Sequence, residues 1–597
     1  MKITLQYNEP AKPVSIDWRW TGFTPASLLL GEDMKQTLRY IGAVPRGGVK
    51  YVRIHYLLEL VSAKNLGTEE PVYDWSKLDE GIDAMVENGL VPFFELMGDP
   101  SGFFTDYKDP VQARAWKRLV RDLALHYTER YGRAAVESWF FETWNEPDVG
   151  WWKQDSEAFM IYYDACSEGL REANPKLRFG GPGTTLTLST RLRDFLKHID
   201  TGRNYFTGEP PRIDFLSVHE KGAWSSAEDI PVSPEKMVTM TRQLRDYMRE
   251  HHPRLLGIPL MNNECDPQVG WAQTHSWRGW PFYAAIMAKC IAHHFDTLVD
   301  EDGVDFTFLG NDNGFIGGWG QRTQLARFVR KRGFEMEHFT LIKKPALNLM
   351  TGLSLLGGER HPAKVEGNGE STFTLATRLG GGEGYAALLC RADNRSRTGD
   401  RADLSLRLEG LAPGEYTVVH YRIDEFHGNP YRTWEDGLPN REVGKEAPDA
   451  ALVAAMRAKQ ELTRWGETDE TVVGPDGVFT ANMDFPLPSV HFVLLLRKDA
   501  FAAPPEAVDG LRAAKYHGIH DKEEILLTWR PPASRTVGNH NVEWRRDGGR
   551  WEALSHAPLL DGSFLHARQP VPAGAEYRVR PMDYRNSPGP WSQPVRA

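Results

Sequence analysis

From about residue 18 to residue 352, short apolar runs alternate with amphipathic stretches along the chain. YVRIHY (51–56), VPFFELM (91–97), SWFFETW (138–144), LRFGG (177–181), DFLSVHE (214–220), IPLMNNE (258–264) and DFTFLGN (305–311) read as strands, and an eighth falls earlier, near Ile16 to Phe23. Between them, KLDEGIDAMVEN (77–88) puts Leu78, Ile82, Met85 and Val86 on one helical face. Residues 111–130, 156–173, 234–250, 281–296 and 343–355 carry the same period. Apolar strands separated by helices predict a parallel sheet buried on both faces. Eight such repeats predict an α/β fold, a (β/α)8 TIM barrel over residues 18–352.

Beyond residue 355 the helical period fades. STFTLATRL, GYAALLCRAD, DLSLRLEGL, EYTVVHYRID and HFVLLLRKD alternate with Gly/Pro turns, a β-sandwich pattern interrupted by one helical insert, ALVAAMRAKQEL (451–462). The N-terminal KITLQY is expected to join it, which makes a discontinuous β-sandwich domain of residues 1–17 plus 353–499. AFAAPPEAV (500–508) reads as a linker. Short strands then continue over 504–597, with Trp529 in an early one and Tyr577 in a late one, as in a C-terminal fibronectin type III-like domain.

A chain of 597 residues is long enough for these three units. Its net charge of −10, with both signs interspersed, argues against nucleic acid or an anionic membrane as partner. No apolar run is long enough for a transmembrane helix. The N-terminus lacks the apolar core of a signal peptide, so a cytoplasmic location is expected. The four cysteines are scattered without metal-ligand spacing and read as buried thiols; no metal and no cofactor is expected. Tryptophan stands out, with 19 residues. Trp144, Trp151, Trp152, Trp224, Trp271, Trp277 and Trp280 flank the polar segments discussed next. Aromatic faces suit the C–H surfaces of sugars, although core packing accounts for more than half of them.

The polar residues of the predicted barrel gather at strand C-terminal ends: His55, Asn145 with Glu146, His219 with Lys221, Glu264, and Asp312 with Asn313. In this fold that rim is where active sites are built. FFETWNEPD (140–148) carries an apolar strand into Glu146 and a Pro stop, and IPLMNNECDP (258–267) repeats the design with Glu264. By strand count these carboxylates end strands four and seven and face one another across the barrel mouth. A retaining glycoside hydrolase needs such a pair, about 5–5.5 Å apart, one as proton donor and one as nucleophile. Glu146 suits the acid, because Asn145 beside it can bond a sugar 2-hydroxyl. Asp266 would raise the pKa of Glu264 if close; Lys221 or Arg322 would lower it. Lys221 and Arg322 also fit rim ion pairs, His55 and His219 fit structural histidines, and Asp312 fits an orienter of Arg322 or Asn313.

Longer segments carry a resemblance. GFTPA, YIGAVP, VRIHYLLELV, FETWNEPD, HEKGAWSS, NNECDPQVGW and QRTQLARF are similar to glycoside hydrolase family 39, in particular its α-L-iduronidases, over nearly the whole chain. The resemblance implies a (β/α)8 barrel followed by a β-sandwich and a fibronectin-like domain. It implies Glu146 as acid/base, Glu264 as nucleophile, and terminal α-L-iduronic acid of dermatan or heparan sulfate fragments as substrate. It carries substrate contacts over to His55, Asn145, His219, Lys221, Asp312, Arg322 and the backbone N–H of Gly270. Lys221 and Arg322 would hold the uronate carboxylate by charge-assisted hydrogen bonds. The chain departs from the vertebrate members at Arg46, where they have His and where a change at the rim is expected, and at Cys265, where they have Ala. A related β-D-xylosidase or β-D-glucuronidase, or a carbohydrate-binding protein without catalysis, stays open as the alternative.

Overall fold

The computed structural model describes the chain except residues 226, 228–229, 271–272, 312–316, 333–335, 368, 396–398, 400, 438–447, 521, 556 and 568–573. Eight parallel strands form its central sheet: β1 (Trp20–Phe23), β2 (Tyr51–Ile54), β3 (Val91–Glu95), β4 (Phe140–Glu142), β5 (Arg178–Thr184), β6 (Phe215–Val218), β7 (Leu260–Cys265) and β8 (Phe306–Asn311). They pair in sequence order. The ring closes where Asp17 bridges Phe308, with Asp17 N–H donating to Thr307 O at 2.9 Å and Leu309 N–H to Asp17 O at 3.0 Å.

The surrounding helices are α1 (Glu32–Gly42), α2 (Ser76–Val86), α3 (Pro110–Tyr131), α4 (Ser156–Ala173), α5 (Thr190–Thr201), α6 (Pro234–His251), α7 (Pro281–His294) and α8 (Pro345–Leu353). Sequence punctuation sets their starts: Asp109, Asp155 and Ser189 cap α3, α4 and α5 by accepting from Val111, Ala158 and Leu192 N–H. Helices α1 and α5 were not among the helical stretches expected. A hairpin, Leu325–Arg332 paired with Met336–Lys343, also enters unannounced between β8 and α8.

Period-two alternation builds the barrel interior in layers. Trp20, Tyr51, Phe93, Phe140, Phe215, Met261 and Phe308, each from a different strand, fill the floor as one cluster. Two residues further along, the same inward face carries Arg53 (β2), Glu95 (β3), Glu142 (β4), Ser217 (β6) and Asn263 (β7), all buried. An apolar plug thus supports a polar layer directly beneath the rim.

Helix α7 is buried on nearly every side, as its mostly apolar sequence requires, with Lys289 the one charge inside it and paired to Glu235. It lies between the barrel and an antiparallel sheet, and Cys390 of that sheet reaches the Ala285 carbonyl at 3.2 Å. The sheet runs in the order 12–13, 359–361, 372–378, 384–391, 489–497, 414–423, 463–464. Its far side faces a four-stranded sheet of 363–366, 2–6, 401–409 and 479–486 around Ile3, Leu5, Leu389, Leu406, Phe485 and Val493. Lys2–Gln6 lies in this four-stranded sheet, parallel to Arg401–Glu409. Residues 509–596 form two further sheets around Ile525, Leu527, Trp529, Val542, Tyr577 and Val579.

Arg46 corrects the sequence reading. It follows α1, at the end of the barrel opposite the rim, so it cannot shape the mouth. There Nε donates to Ser354 O at 2.9 Å and Nη1 to Ser534 O at 3.4 Å, which joins the barrel to the C-terminal sheets. Among the described residues no helix is long and apolar enough to cross a membrane. The four cysteines are buried and free.

Candidate active site

The ends of β2, β4, β6 and β7 bring five expected residues together: His55, Asn145, Glu146, His219 and Glu264, with Lys221 reaching in from the turn after β6. Glu146 leaves β4 with a φ of 42°, the left-handed region that non-glycine residues enter at a cost of about 1–3 kcal/mol. The turn is pinned by Glu146 N–H donating to Gly183 O at 3.0 Å, and by Asp148 accepting from Thr185 and Leu186 N–H at 3.1 and 2.9 Å. Gly183 itself has φ +61°, and a Cβ there would lie 3.4 Å from His219 Nε2, against the polar layer. Local strain is thus used to aim one carboxylate into the mouth.

One oxygen of Glu146, one of Glu264 and one ring nitrogen of His219 all lie within 4.8 Å of one another. Lys221 bridges the two carboxylates, its Nζ 3.3 Å from Glu146 Oε1 and 2.8 Å from Glu264 Oε2. The other Glu264 oxygen, Oε1, accepts from Arg53 Nη1 at 2.9 Å and lies 3.4 Å from His55 Nε2. His219 Nδ1 is 3.1 Å from Glu146 Oε1 and 3.5 Å from Glu264 Oε2. Its Nε2 lies 3.3 Å from Arg53 Nη2, and a guanidinium can only donate, so the ring proton belongs on Nδ1, facing the carboxylates.

Arg53 is the hub beneath this pair and was not among the expected residues. It is 2% exposed and, besides His219, contacts four side-chain acceptors: Glu142 through Nε at 2.7 Å, Glu264 through Nη1, Asn145 Oδ1 through Nη2 at 3.1 Å, and Glu95 through Nη2. Glu95 in turn receives His55 Nδ1 at 2.6 Å, and Glu142 receives Asn263 Nδ2 at 2.7 Å. The sequence does hold a signal for Arg53, Glu95 and Glu142: charged residues on the inward period of otherwise apolar strands, where an unpaired charge is not tolerated.

Burial opposes the charge on Glu264, yet His219, Lys221, His55 and Arg53 outweigh it and hold this carboxyl well below the usual range. Burial likewise opposes ionisation of Glu146, but Lys221 and His219 prevail over that and over the neighbouring Glu264, and hold it at about 2. His55 is pushed the other way, up to about 10, because Glu95 and Glu264 overcome its desolvation. The Glu146–His219–Glu264 trio has the spacing to gather a cation, but Lys221 and Arg53 already supply positive charge to its oxygens.

The remaining expected residues lie around this centre. Arg322 is buried and held by Asp266, Nη1 to Oδ2 at 2.5 Å, so the Asp266 charge is spent on Arg322 rather than on Glu264. Gly270 adopts φ 102° in the loop after β7, where its carbonyl accepts from Gln273 N–H at 3.0 Å. Asp312, Asn313 and Trp271 lie outside the described residues. Trp152 and Trp277 are core residues, whereas Trp151 and Trp224 are 47% and 46% exposed.

Two carboxylates at opposed strand ends, one half-buried and one buried and held ionised by a fixed arginine, define a (β/α)8 glycoside hydrolase. The chain belongs to glycosyl hydrolases family 39, whose family model matches residues 1–446. It is 33% identical to α-L-iduronidase of Mus musculus over 98% of this chain and 94% of the relative, and 34% identical to that of Homo sapiens over 98% and 91%. A solved structure described as the bacterial orthologue of human α-L-iduronidase superposes with a TM-score of 0.92 at 38% identity, covering 100% of this chain and 99% of that one.

Proposed function

We propose that the protein is a retaining exo-glycosidase that releases terminal α-L-iduronic acid from glycosaminoglycan-derived oligosaccharides. The observation that carries the mechanism is the 4.8 Å limit on the separation of the Glu146 and Glu264 oxygens. That spacing suits direct attack by one carboxylate, about 5–5.5 Å from its partner, and leaves no room for the water of an inverting enzyme, which needs about 6.5–9.5 Å.

Glu264 is the nucleophile: Arg53 and His55 keep Oε1 charged and fixed, which aims the carboxylate at the anomeric carbon. Glu146 is the acid/base. It protonates the leaving oxygen, then deprotonates the water that opens the glycosyl ester. Asn145 is fixed through Oδ1 by Arg53, and its amide N–H groups are suited to donate to the sugar 2-hydroxyl. Lys221, Arg322 and the Gly270 N–H hold the C5 carboxylate, with His55, His219 and Asp312 completing the subsite. The similarity to iduronidases over nearly the whole chain supports that sugar over xylose, which has no carboxylate to meet Lys221.

We read the chain as a catalytic barrel (18–352), a β-sandwich (1–17 plus 353–499) and a fibronectin type III-like domain (504–597), working in the cytoplasm. The paired C-terminal sheets with Trp529 and Tyr577 in their common core support the last assignment. Incubation with a 2-fluoro iduronyl fluoride tests the mechanism: mass spectrometry should find a stable ester on Glu264. Labelling elsewhere, or of neither carboxylate, would remove the nucleophile assignment.

A further inference from the structure

Glu146 is not a working acid as the resting site stands. Its Oε1 faces Lys221 Nζ at 3.3 Å and the His219 ring N–H at 3.1 Å, and both stabilise the charged form. A general acid must carry its proton near the working pH. In a pair of close carboxylates the ionised one normally keeps the other protonated. Here the Lys221 ammonium stands between them and cancels that effect.

The two carboxylates depend on Lys221 to different degrees. Glu264 keeps two other cationic neighbours on Oε1, Arg53 at 2.9 Å and His55 at 3.4 Å, both from the β2 side. Glu146 has neither: from β6 it faces Lys221 and His219, from β7 the anionic Glu264, and its own neighbour Asn145 is bonded to Arg53. Withdrawing Lys221 would leave Glu264 charged and Glu146 facing that charge with only the His219 ring N–H to oppose it. Lys221 is only 9% exposed, so the group best able to draw it away is an anion that enters the same pocket.

We propose that the substrate's own carboxylate arms the acid by drawing Lys221 off Glu146. The inference rests on the reading of Lys221 as a carboxylate ligand. On binding, the sugar enters as the anion, Lys221 stays an ammonium, and one proton passes from solvent to a Glu146 oxygen. In the chemical step that proton goes to the glycosidic oxygen as Glu264 bonds to C1 and the C1–O bond breaks. A neutral sugar of the same shape leaves Lys221 on Glu146 and the acid without its proton. Discrimination against it therefore falls on kcat rather than on KM alone.

Calorimetry of L-iduronic acid binding, in two buffers of different ionisation heat, tests this. At about pH 5, well above the resting value of about 2 for Glu146, wild type should take up close to one proton per ligand bound. Glu146→Gln should bind with almost no uptake, and so should Lys221→Met, whose Glu146 is already protonated. L-idose, which lacks the carboxylate, should bring no proton with it. Tight binding of L-iduronic acid without uptake, or unchanged uptake in Glu146→Gln, would overturn the inference and leave the carboxylate reading standing. Failure of wild type to bind L-iduronic acid at all would take down both.

Discussion

Arg53 of β2 and Glu264 of β7 meet across the barrel interior, Nη1 to Oε1 at 2.9 Å, and this contact fixes which carboxylate remains an anion. The same guanidinium also neutralises Glu95 and Glu142, so the catalytic layer and the stability of the barrel share one residue.

Replacing Arg53 should therefore cost both. Arg53→Ala leaves Glu95 and Glu142 buried without their main partner, and breaking such a buried pair typically costs about 3–5 kcal/mol. Denaturant unfolding should show a loss of that order. Arg53→Lys keeps one charge but cannot fork to all of these acceptors, and should recover only part of the stability with little activity. Wild-type stability in Arg53→Ala would mean that the guanidinium does not hold this layer together.

The two catalytic carboxylates should separate kinetically. Glu264→Ala should abolish turnover on every leaving group. Glu146→Gln should slow substrates with poor leaving groups far more than activated aryl glycosides, which need little protonation. Equal losses on both substrate types would count against an acid role for Glu146.

Lys221→Ala and Arg322→Ala should each reduce kcat/KM on an aryl α-L-iduronide by at least about tenfold, since a hydrogen bond to a charged group is worth about 1.5–3 kcal/mol. Arg322→Ala also takes the nearer cation from buried Asp266 and leaves it Arg278 at 3.7 Å, so its thermal melt must be read beside its rate. A variant of normal stability and normal rate would return that residue to a rim ion pair.

Glu220 offers a pH prediction away from the reaction. Burial pushes its carboxyl up to about 8, against a Thr241 hydroxyl that donates to it. An acid with a raised folded pKa holds its proton longer in the native state than in the unfolded one. Its contribution to stability is therefore lost as pH rises from about 4.5 to about 8, and the decline levels off above that. Glu220→Gln should match wild type near about pH 4 and exceed it by on the order of a few kcal/mol near about pH 9. Parallel unfolding curves for the two proteins across that range would contradict the assignment.

Much of this was legible in the sequence, and the misses have physical causes. His55, Glu146, His219 and Glu264 stood out because polar residues at the ends of apolar strands have few structural uses. Arg53, Glu95 and Glu142 did not, because each falls inside the apolar run read as its strand (51–56, 91–97 and 138–144), and such a run reads as continuous when a single charge interrupts it. Helix α5 places Leu192, Phe195, Leu196 and Ile199 at helical spacing, yet charged and polar residues around them mask the stripe. The position of Arg46 could not be read from its neighbours, since which end of the barrel a loop occupies depends on the helix before it. The Trp-rich composition was a mixed signal: Trp152 and Trp277 are packing residues, whereas among the described residues Trp151 and Trp224 are the exposed tryptophans.

The proposed selectivity of this site for an α-L-iduronide can be measured. Rates on aryl α-L-iduronide, β-D-glucuronide and β-D-xyloside with the same leaving group test it most directly. The three share the stereochemical problem at the anomeric carbon, so they differ only in the C5 carboxylate and its configuration. The iduronide should lead the xyloside by at least about tenfold in kcat/KM, the worth of one charged hydrogen bond, and should also exceed the glucuronide. A xyloside or glucuronide turned over as fast as the iduronide would contradict the account.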